Sequence, residues 1–245
     1  MKRLLFLAVF LLLVAACAST KTTQPKTAED YLLEGERLLD NGQYQEAITS
    51  WEKVREAFYS PELNLLAELK IAEAHFLAKE YVEAAAAYED FLKQHPEHPR
   101  TAEVLFQLGM SFYKQILSID RDQTATHNAL VTFETLVKRF PDDPKKDEAR
   151  AFAEHCRNRL AEHEFYVGYF YQRTGKYQPA INRLQAIPAR YPDFADLDQV
   201  YFYLGQAYMK NGERQQAIAA FNSLLREFPQ SRHVRDAQKS IATLD

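Results

Sequence analysis

A two-helix pattern that recurs five times constrains the fold of this chain more than any other feature of its sequence. Each copy has a glycine or alanine on its first helix, where a small side chain lets the second helix approach closely. These positions are Gly35, Ala72, Gly109, Gly168 and Gly205. Each copy also has an alanine on its second helix, at Ala47, Ala84, Ala129, Ala180 and Ala217. This spacing predicts stacked helical hairpins.

Glycine and proline residues mark the ends of the helices in the sequence. In the fifth copy, Asn211-Gly212 separates two apolar helical faces, because glycine accepts the left-handed backbone that ends a helix. Four copies end in a proline, at Pro96, Pro141, Pro192 and Pro229. The pattern resembles the tetratricopeptide repeat (TPR), a helix-turn-helix unit of about 34 residues. We therefore predict an all-α, TPR-like superhelical solenoid of five helix-turn-helix repeats with a C-terminal capping helix.

Several irregularities interrupt this regular pattern. The turn Lys79-Glu80-Tyr81 of repeat two lacks the glycine. Repeat three carries an insertion around Ile116–Gln123, and we interpret its stretch Asp120–Gln123 as a solvated acidic turn. The long spacing before repeat four predicts one extended helix through Asp147–Arg173. Pro188 should end or kink the second helix of repeat four, and Ser231–Asp245 should form the capping helix.

The N-terminus is typical of a bacterial lipoprotein. Lys2 and Arg3 precede apolar residues from Leu4 to Ala16, too few for a bilayer crossing, which needs about 20. Val14-Ala15-Ala16-Cys17 resembles a lipobox, so residues 1–16 are predicted to be a signal peptide and Cys17 the lipidated first residue. The alternative is an ordinary signal peptide with an incidental cysteine. Residues 17–27 are then the lipidated N-terminus and a flexible tether.

The residue after the lipidation site indicates which of the two bacterial membranes holds the lipid anchor. Ala18 stands where lipoproteins retained at the inner membrane, in bacteria resembling the enteric ones, carry aspartate. We therefore expect a lipid anchor in the outer membrane and a body that faces the periplasm.

Composition and motifs argue against several classes of function. Lys and Arg number 30 against 34 Asp and Glu without a basic stripe, which argues against nucleic-acid binding. The chain has no Gly-rich phosphate loop, GxSxG or HExxH motif, and its seven histidines lack metal-ligand spacing. We predict no catalytic residue, no cofactor and no metal. Cys156 falls at an apolar helix position and is interpreted as a core residue.

Stacked hairpins present their first helices on a concave face that can hold extended peptides. Positions 5, 9 and 12 of each repeat should face this groove, and they carry more aromatic residues than a solvated surface needs. In repeats four and five they are Phe165, Tyr169, Gln172, Phe202, Gln206 and Met209. Among the earlier repeats, we predict that Phe76, Phe106 and Tyr113 form an apolar peptide-binding groove.

The combination of features resembles one family. The lipobox, the five TPR-like units, the insertion Asp120–Gln123 and the run from Asn158 through Tyr177 to Arg183 resemble the BamD family of outer-membrane assembly lipoproteins. The resemblance implies a non-catalytic subunit of the β-barrel assembly machinery. Residues 28–146, with repeats one to three, would receive unfolded outer-membrane proteins. Residues 147–245, with the long bridging helix, repeats four and five and the capping helix, would bind POTRA domains of a BamA-like β-barrel protein.

The resemblance also assigns one partner-binding pair. By position, Arg183 of the pair Asn182-Arg183 matches the family arginine that pairs with a BamA carboxylate, although a solvated helix arginine is the alternative. Two other functions stay open: a pilotin-like TPR lipoprotein that escorts a secretin, and a peptidoglycan- or division-associated TPR scaffold. The insertion and the run in repeat four favour the assembly subunit.

Overall fold

The structure, a computed structural model, describes residues 25–57 and 60–244, which fold into α-helices joined by turns and short loops. The helices are α1 Ala28–Asp40, α2 Tyr44–Ala57, α3 Pro61–Leu77, α4 Tyr81–Gln94, α5 Thr101–Tyr113, α6 Thr124–Arg139, α7 Lys146–Arg173, α8 Tyr177–Leu184, α9 Ile187–Arg190, α10 Leu197–Asn211, α11 Arg214–Glu227 and α12 Val234–Leu244. The all-α, TPR-like class predicted from the repeat spacing is confirmed. Contacts divide the described residues into two units, one ending at Ala67 and one beginning at Glu68.

Each glycine on a first helix lies against a large side chain on the second helix of the same hairpin. A Cβ atom on Gly109 would lie 2.6 Å from the Phe133 ring, and one on Gly205 would lie 2.5 Å from the Phe221 ring. Gly35 faces Trp51 in the same way. The large side chain stands four residues after the marker alanine of each second helix. The repeat pattern therefore records a physical contact, in which the small residue makes room for the large one.

The turns use the left-handed backbone where the pattern predicts it. Gly42, Gly175 and Gly212 have φ values of 72°, 77° and 84°. Lys79, which stands where repeat two lacks the glycine, has a φ of 63°. Its backbone N–H donates to the Phe76 carbonyl at 3.0 Å, so the turn closes as the glycine turns do. Repeat two therefore keeps the turn geometry with a residue for which that backbone is costly.

The long spacing before repeat four forms one continuous helix, as predicted. Helix α7 runs from Lys146 to Arg173, beginning one residue earlier than expected. Ala149, Ala153 and Cys156 on its first half are buried in the core that it shares with α6. Ala161 on its second half is buried with residues of α8 and α10. One helix thus contributes to two successive hydrophobic cores.

The second helix of repeat four is broken near its proline. Helix α8 ends at Leu184, and Pro188 lies in the first turn of the short helix α9. Helix α12 covers the last hairpin, where its buried Ala237 packs into a cluster with Phe221 and Leu224 of α11. The break at Pro188 and the capping helix are both confirmed.

Candidate functional site

Two of the three residues predicted to form the aromatic groove lie together, but one of them is in the core. The ring of Phe106 lies 6.0 Å from that of Phe133 and 6.3 Å from that of Phe152, and the residue is only 7% exposed. Tyr113 is half-buried, with its ring 4.8 Å from Phe152. The expectation that Phe106 offers an apolar surface is therefore corrected: it is a core residue packed on Phe133 and Phe152.

The long helix explains this burial. Phe152 belongs to the inserted turns of α7, which repeat spacing alone does not place, and it stacks on Phe133 with ring centroids 5.3 Å apart. The Lys145 Nζ atom lies 4.8 Å from the centre of the Phe106 ring. Phe76 packs edge-to-face on Tyr81 with centroids 5.4 Å apart and is half-buried. Of the three predicted groove residues, Phe76 and Tyr113 are therefore the two that keep part of their surface exposed.

The neighbourhood of Tyr113 is polar on one side. Its hydroxyl lies 3.3 Å from Nδ1 of His155, and desolvation raises the pKa of Tyr113 above its usual range. The phenol therefore stays neutral at physiological pH and can donate or accept one hydrogen bond. An aromatic face with a polar tip suits contact with a peptide.

Asn182 and Arg183 are both exposed on α8, in the second hairpin that α7 helps to form. The packing of Leu184 against Gly168 fixes this helix on α7. Arg183 Nη1 donates to both carboxylate oxygens of Glu164, at 3.0 and 3.2 Å. Both bonds use one nitrogen, and a guanidinium carries further N–H donors on its other two. With 46% of its side chain exposed, Arg183 can accept a second carboxylate.

The insertion of repeat three is a folded loop. Asp120 and Asp122 are exposed, as expected of an acidic turn, but Gln123 is buried. The Gln123 side chain donates to the carbonyls of Ser118 and Arg121 at 3.0 Å each. The interpretation as a solvated turn was therefore wrong for its last residue, because the glutamine amide organises the loop from inside.

Helix α7 holds this loop at two points that the sequence did not reveal. Arg159 Nη2 donates to the Leu117 carbonyl at 2.8 Å. His163 Nδ1 lies 2.6 Å from the Ile119 carbonyl, which can only accept, so Nδ1 carries the proton. Arg159 belongs to the run that resembles the BamD family. Both residues fall on one face of α7, four positions apart, which is the only sequence signal that could have linked them.

The remaining predictions concern the lipidation site, metal binding and membrane crossing. Residues 1–16, Cys17 and the start of the tether lie outside residues 25–57 and 60–244, so the lipidation site stays a prediction. Within those ranges, the structure has no group of three His, Cys, Asp or Glu side chains placed to hold a metal ion. None of the described helices combines the length and apolarity that a membrane crossing requires.

The amino-acid sequence is similar to those of several known proteins. The chain is 24% identical to the outer membrane protein assembly factor BamD of Pasteurella multocida over 203 residues, which cover 79% of this chain and 78% of the relative. It is 28% identical to the BamD of Neisseria meningitidis serogroup A over 208 residues, covering 78% of each chain. For the BamD of Caulobacter vibrioides, identity is 26% over 183 residues, with 73% of this chain and 60% of the relative covered.

One solved structure with a related helical fold is more distant in sequence. The TPR2AB domain of yeast Sti1, in a complex with pHSP90, has a TM-score of 0.42 at 18% identity and covers 89% of this chain and 82% of its own. At that similarity it supports no comparison of binding sites.

The sequence model of one family spans most of the folded region. It is the YfiO family, described as an outer membrane lipoprotein, and the match runs over residues 24–217, well over half of the chain. The match includes the long helix α7 and the Asn182-Arg183 pair. The chain belongs to the YfiO family of outer membrane lipoproteins.

Proposed function

We propose that this chain is a non-catalytic lipoprotein subunit that assists the assembly of β-barrel proteins in the outer membrane. The observation that carries the proposal is the family match over residues 24–217, together with relatives named as outer membrane protein assembly factors. Lipidation of Cys17 holds the chain at the periplasmic face of the outer membrane. Tethered by residues 17–27, the helical body works close to that membrane, because the ten residues that follow Cys17 span only about 35 Å when extended.

The C-terminal half, residues 147–245, binds the POTRA domains of a BamA-like β-barrel protein. Asn182 and Arg183 form the contact, and Arg183 pairs with a carboxylate of the partner. The exposure of both side chains and the unused donors of the guanidinium support this assignment. Glu164 holds Arg183 in place before the partner arrives, which lowers the conformational entropy lost on binding.

The N-terminal half, residues 28–146, receives unfolded outer-membrane proteins. A strand of a membrane barrel alternates apolar and polar side chains, so an aromatic surface can bury one face of it. Phe76 and Tyr113 offer such surface, and Phe106 is a core residue. We expect modest affinity, since ordering a flexible segment costs conformational entropy. Weak capture suits transfer of the client to the barrel partner.

Affinity purification of the tagged chain from gently solubilised outer membranes tests this function. We expect a β-barrel protein with POTRA domains to co-purify with it. Recovery of a secretin instead would support the pilotin-like function. Recovery of peptidoglycan or division proteins without any barrel would support the scaffold. Either result would leave the fold unchanged and overturn the assembly role.

Fractionation of a Cys17→Ser variant tests the anchor separately. We expect the variant to leave the outer-membrane fraction, because it lacks the thiol that carries the lipid. A Cys156→Ser variant is the matched control, and it should stay at the membrane as long as it folds. Retention of the Cys17→Ser variant in the membrane fraction would contradict the lipid anchor.

A further inference from the structure

A groove of about 370 Å³ opens between helices α7 and α10, in the C-terminal part of the chain. Its lining includes Tyr169 and Gln172 from α7, and Gln206 and Met209 from α10. These are groove-facing positions of repeats four and five. The lining contains neither Arg183 nor any of the three residues of the predicted aromatic groove. The site is therefore distinct from the Asn182-Arg183 contact and from the predicted aromatic groove.

A pair of amides joins the two helices within the groove. Gln172 Nε2 donates to Gln206 Oε1 at 2.8 Å, and both side chains are half-buried. This bond leaves the Gln172 carbonyl oxygen as an acceptor and the Gln206 amide nitrogen as a donor. An extended peptide backbone offers the complementary carbonyl and N–H groups.

Aromatic rings form one wall of the same region. The rings of Tyr169 and Tyr203 lie 4.7 Å apart, and the ring of Phe165 lies 5.9 Å from Tyr203 and 6.2 Å from Tyr169. Desolvation, with the neighbouring Tyr169, raises the pKa of Tyr203, so its hydroxyl stays neutral at physiological pH. Neutral, half-buried rings of this kind stack on an aromatic side chain of a ligand.

Positive charge is concentrated at one end of the groove. Arg173 and Lys210 stand in the last turns of α7 and α10, both are exposed, and both line the groove. The Arg173 guanidinium lies 5.7 Å from the centre of the Tyr169 ring. No carboxylate is among the lining residues, and neither cation forms an ion pair in the part of the chain that the structure describes.

Helix ends account for these charges only in part. A cation in the last turn complements the helix dipole, which explains one cation on each helix. It does not explain why the two converge on one groove without a neutralising carboxylate, in a chain whose formal net charge is −4. The local positive charge is therefore available to a ligand.

We propose that this groove binds an extended, acidic and aromatic segment of a partner protein. Carboxylate side chains of the segment pair with Arg173 and Lys210, an aromatic side chain packs on Tyr169 and Tyr203, and the backbone meets the glutamine pair. The volume lies at the lower end of the range for small-ligand sites, so a short segment fills it. This binding does not depend on the assembly role proposed above.

Fluorescence anisotropy with the full chain in detergent micelles tests the proposal. The probe is a labelled hexapeptide that alternates glutamate and phenylalanine and is blocked at both ends, so that only its side chains carry charge. The matched peptide has glutamine in place of each glutamate. We expect saturable binding of the acidic peptide at concentrations up to about 1 mM and at least tenfold weaker binding of the glutamine peptide. Absence of saturable binding would overturn the proposal.

Two double variants show whether the binding uses this groove. Arg173→Gln with Lys210→Gln should weaken binding of the acidic peptide about tenfold, because each exposed pair contributes modestly. Lys93→Gln with Lys114→Gln removes the same charge from exposed positions outside the groove and should leave affinity within about twofold. Equal losses in the two double variants would show a general charge effect and would refute the assignment. Circular dichroism verifies that both variants fold.

Discussion

Gly205 lies so close to Phe221 that a Cβ atom on the glycine would come within 2.5 Å of the aromatic ring. The ring is fully buried between α10, α11 and α12, so it has little freedom to move away. We therefore expect Gly205→Ala to lower the free energy of unfolding by about 1–2 kcal/mol, since overpacking outweighs the gain in helix propensity. Urea denaturation of the full chain measures this change.

An alanine at an exposed helix position provides the control. Gln216→Ala on α11 adds no contact and should change stability by no more than about 0.5 kcal/mol. A Gly205→Ala variant as stable as the native chain would show that the ring can move, and that close approach does not explain the glycine.

Replacement of Lys79 should change the free energy of unfolding in the opposite direction. Its φ of 63° puts an ordinary side chain in the left-handed region, in a turn where other repeats have glycine. Lys79→Gly should raise the free energy of unfolding by about 0.5–1 kcal/mol, because relief of backbone strain exceeds the added entropy of the unfolded chain. The reciprocal Gly212→Lys should destabilise by about 1–2 kcal/mol. Chemical denaturation measures the change in the free energy of unfolding for both variants. A loss of stability in Lys79→Gly would contradict the strain argument.

His233 makes stability depend on pH. Desolvation, followed by the charge of Arg232, lowers the pKa of His233, and these effects exceed the opposing ones of Asp198 and Asp236. Its ring stacks on Phe202 at 4.3 Å, and its Nε2 accepts a hydrogen bond from Arg232 Nε at 3.2 Å. The folded state thus prefers neutral histidine. Below an unfolded-state pKa of about 6.5, the unfolded chain binds more protons, so stability falls as pH drops through the folded pKa.

His233→Phe isolates this contribution. The phenylalanine keeps the stacked ring but cannot titrate, so the loss of stability between pH 7.5 and pH 5.5 should be smaller in the variant. Chemical denaturation at the two pH values measures it. An unchanged pH dependence would show that His233 does not cause the effect.

Arg183 carries the prediction for the barrel partner. Arg183→Glu reverses the charge and places it beside Glu164, so we expect capture of a BamA-like partner to weaken between tenfold and a hundredfold. Glu164→Gln removes the internal ion pair and keeps the positive charge of Arg183, so it should weaken capture much less than Arg183→Glu, through the lost positioning of the arginine alone. Arg226→Glu, at an exposed position on α11, controls for total charge. Quantitative pull-down with circular dichroism compares the three, and equal capture by all of them would remove Arg183 from the interface.

The repeat spacing predicted the hairpins well because it reflects contacts within each hairpin. A glycine or alanine is required where α10 meets Phe221, and no distant part of the chain alters that requirement. Helix α7 was also predictable, since its apolar positions keep their period across the inserted turns. The break before Pro188 follows from the chemistry of one residue.

Prediction was weaker where an inserted segment packs against a regular one. Phe106 occupies a groove-facing position of its repeat, yet Phe152 from the inserted turns of α7 lies against it and buries it. Gln123 similarly belongs to a loop whose interior the repeat pattern does not describe. The exposure of a side chain at such a position depends on which residues the inserted segment covers. The spacing of the repeats does not indicate which residues those are.

The continuity of α7 affects how motion passes through this part of the chain. In an ordinary repeat array, a turn separates each hairpin from the next, and a small displacement can be absorbed there. Here 28 residues form one rod of about 42 Å that is built into the cores on both sides. A tilt of α7 at the end that packs on α8 therefore also displaces the end that packs on α6. Load applied at one end of α7 can therefore reach the core at its other end without a hinge inside the helix.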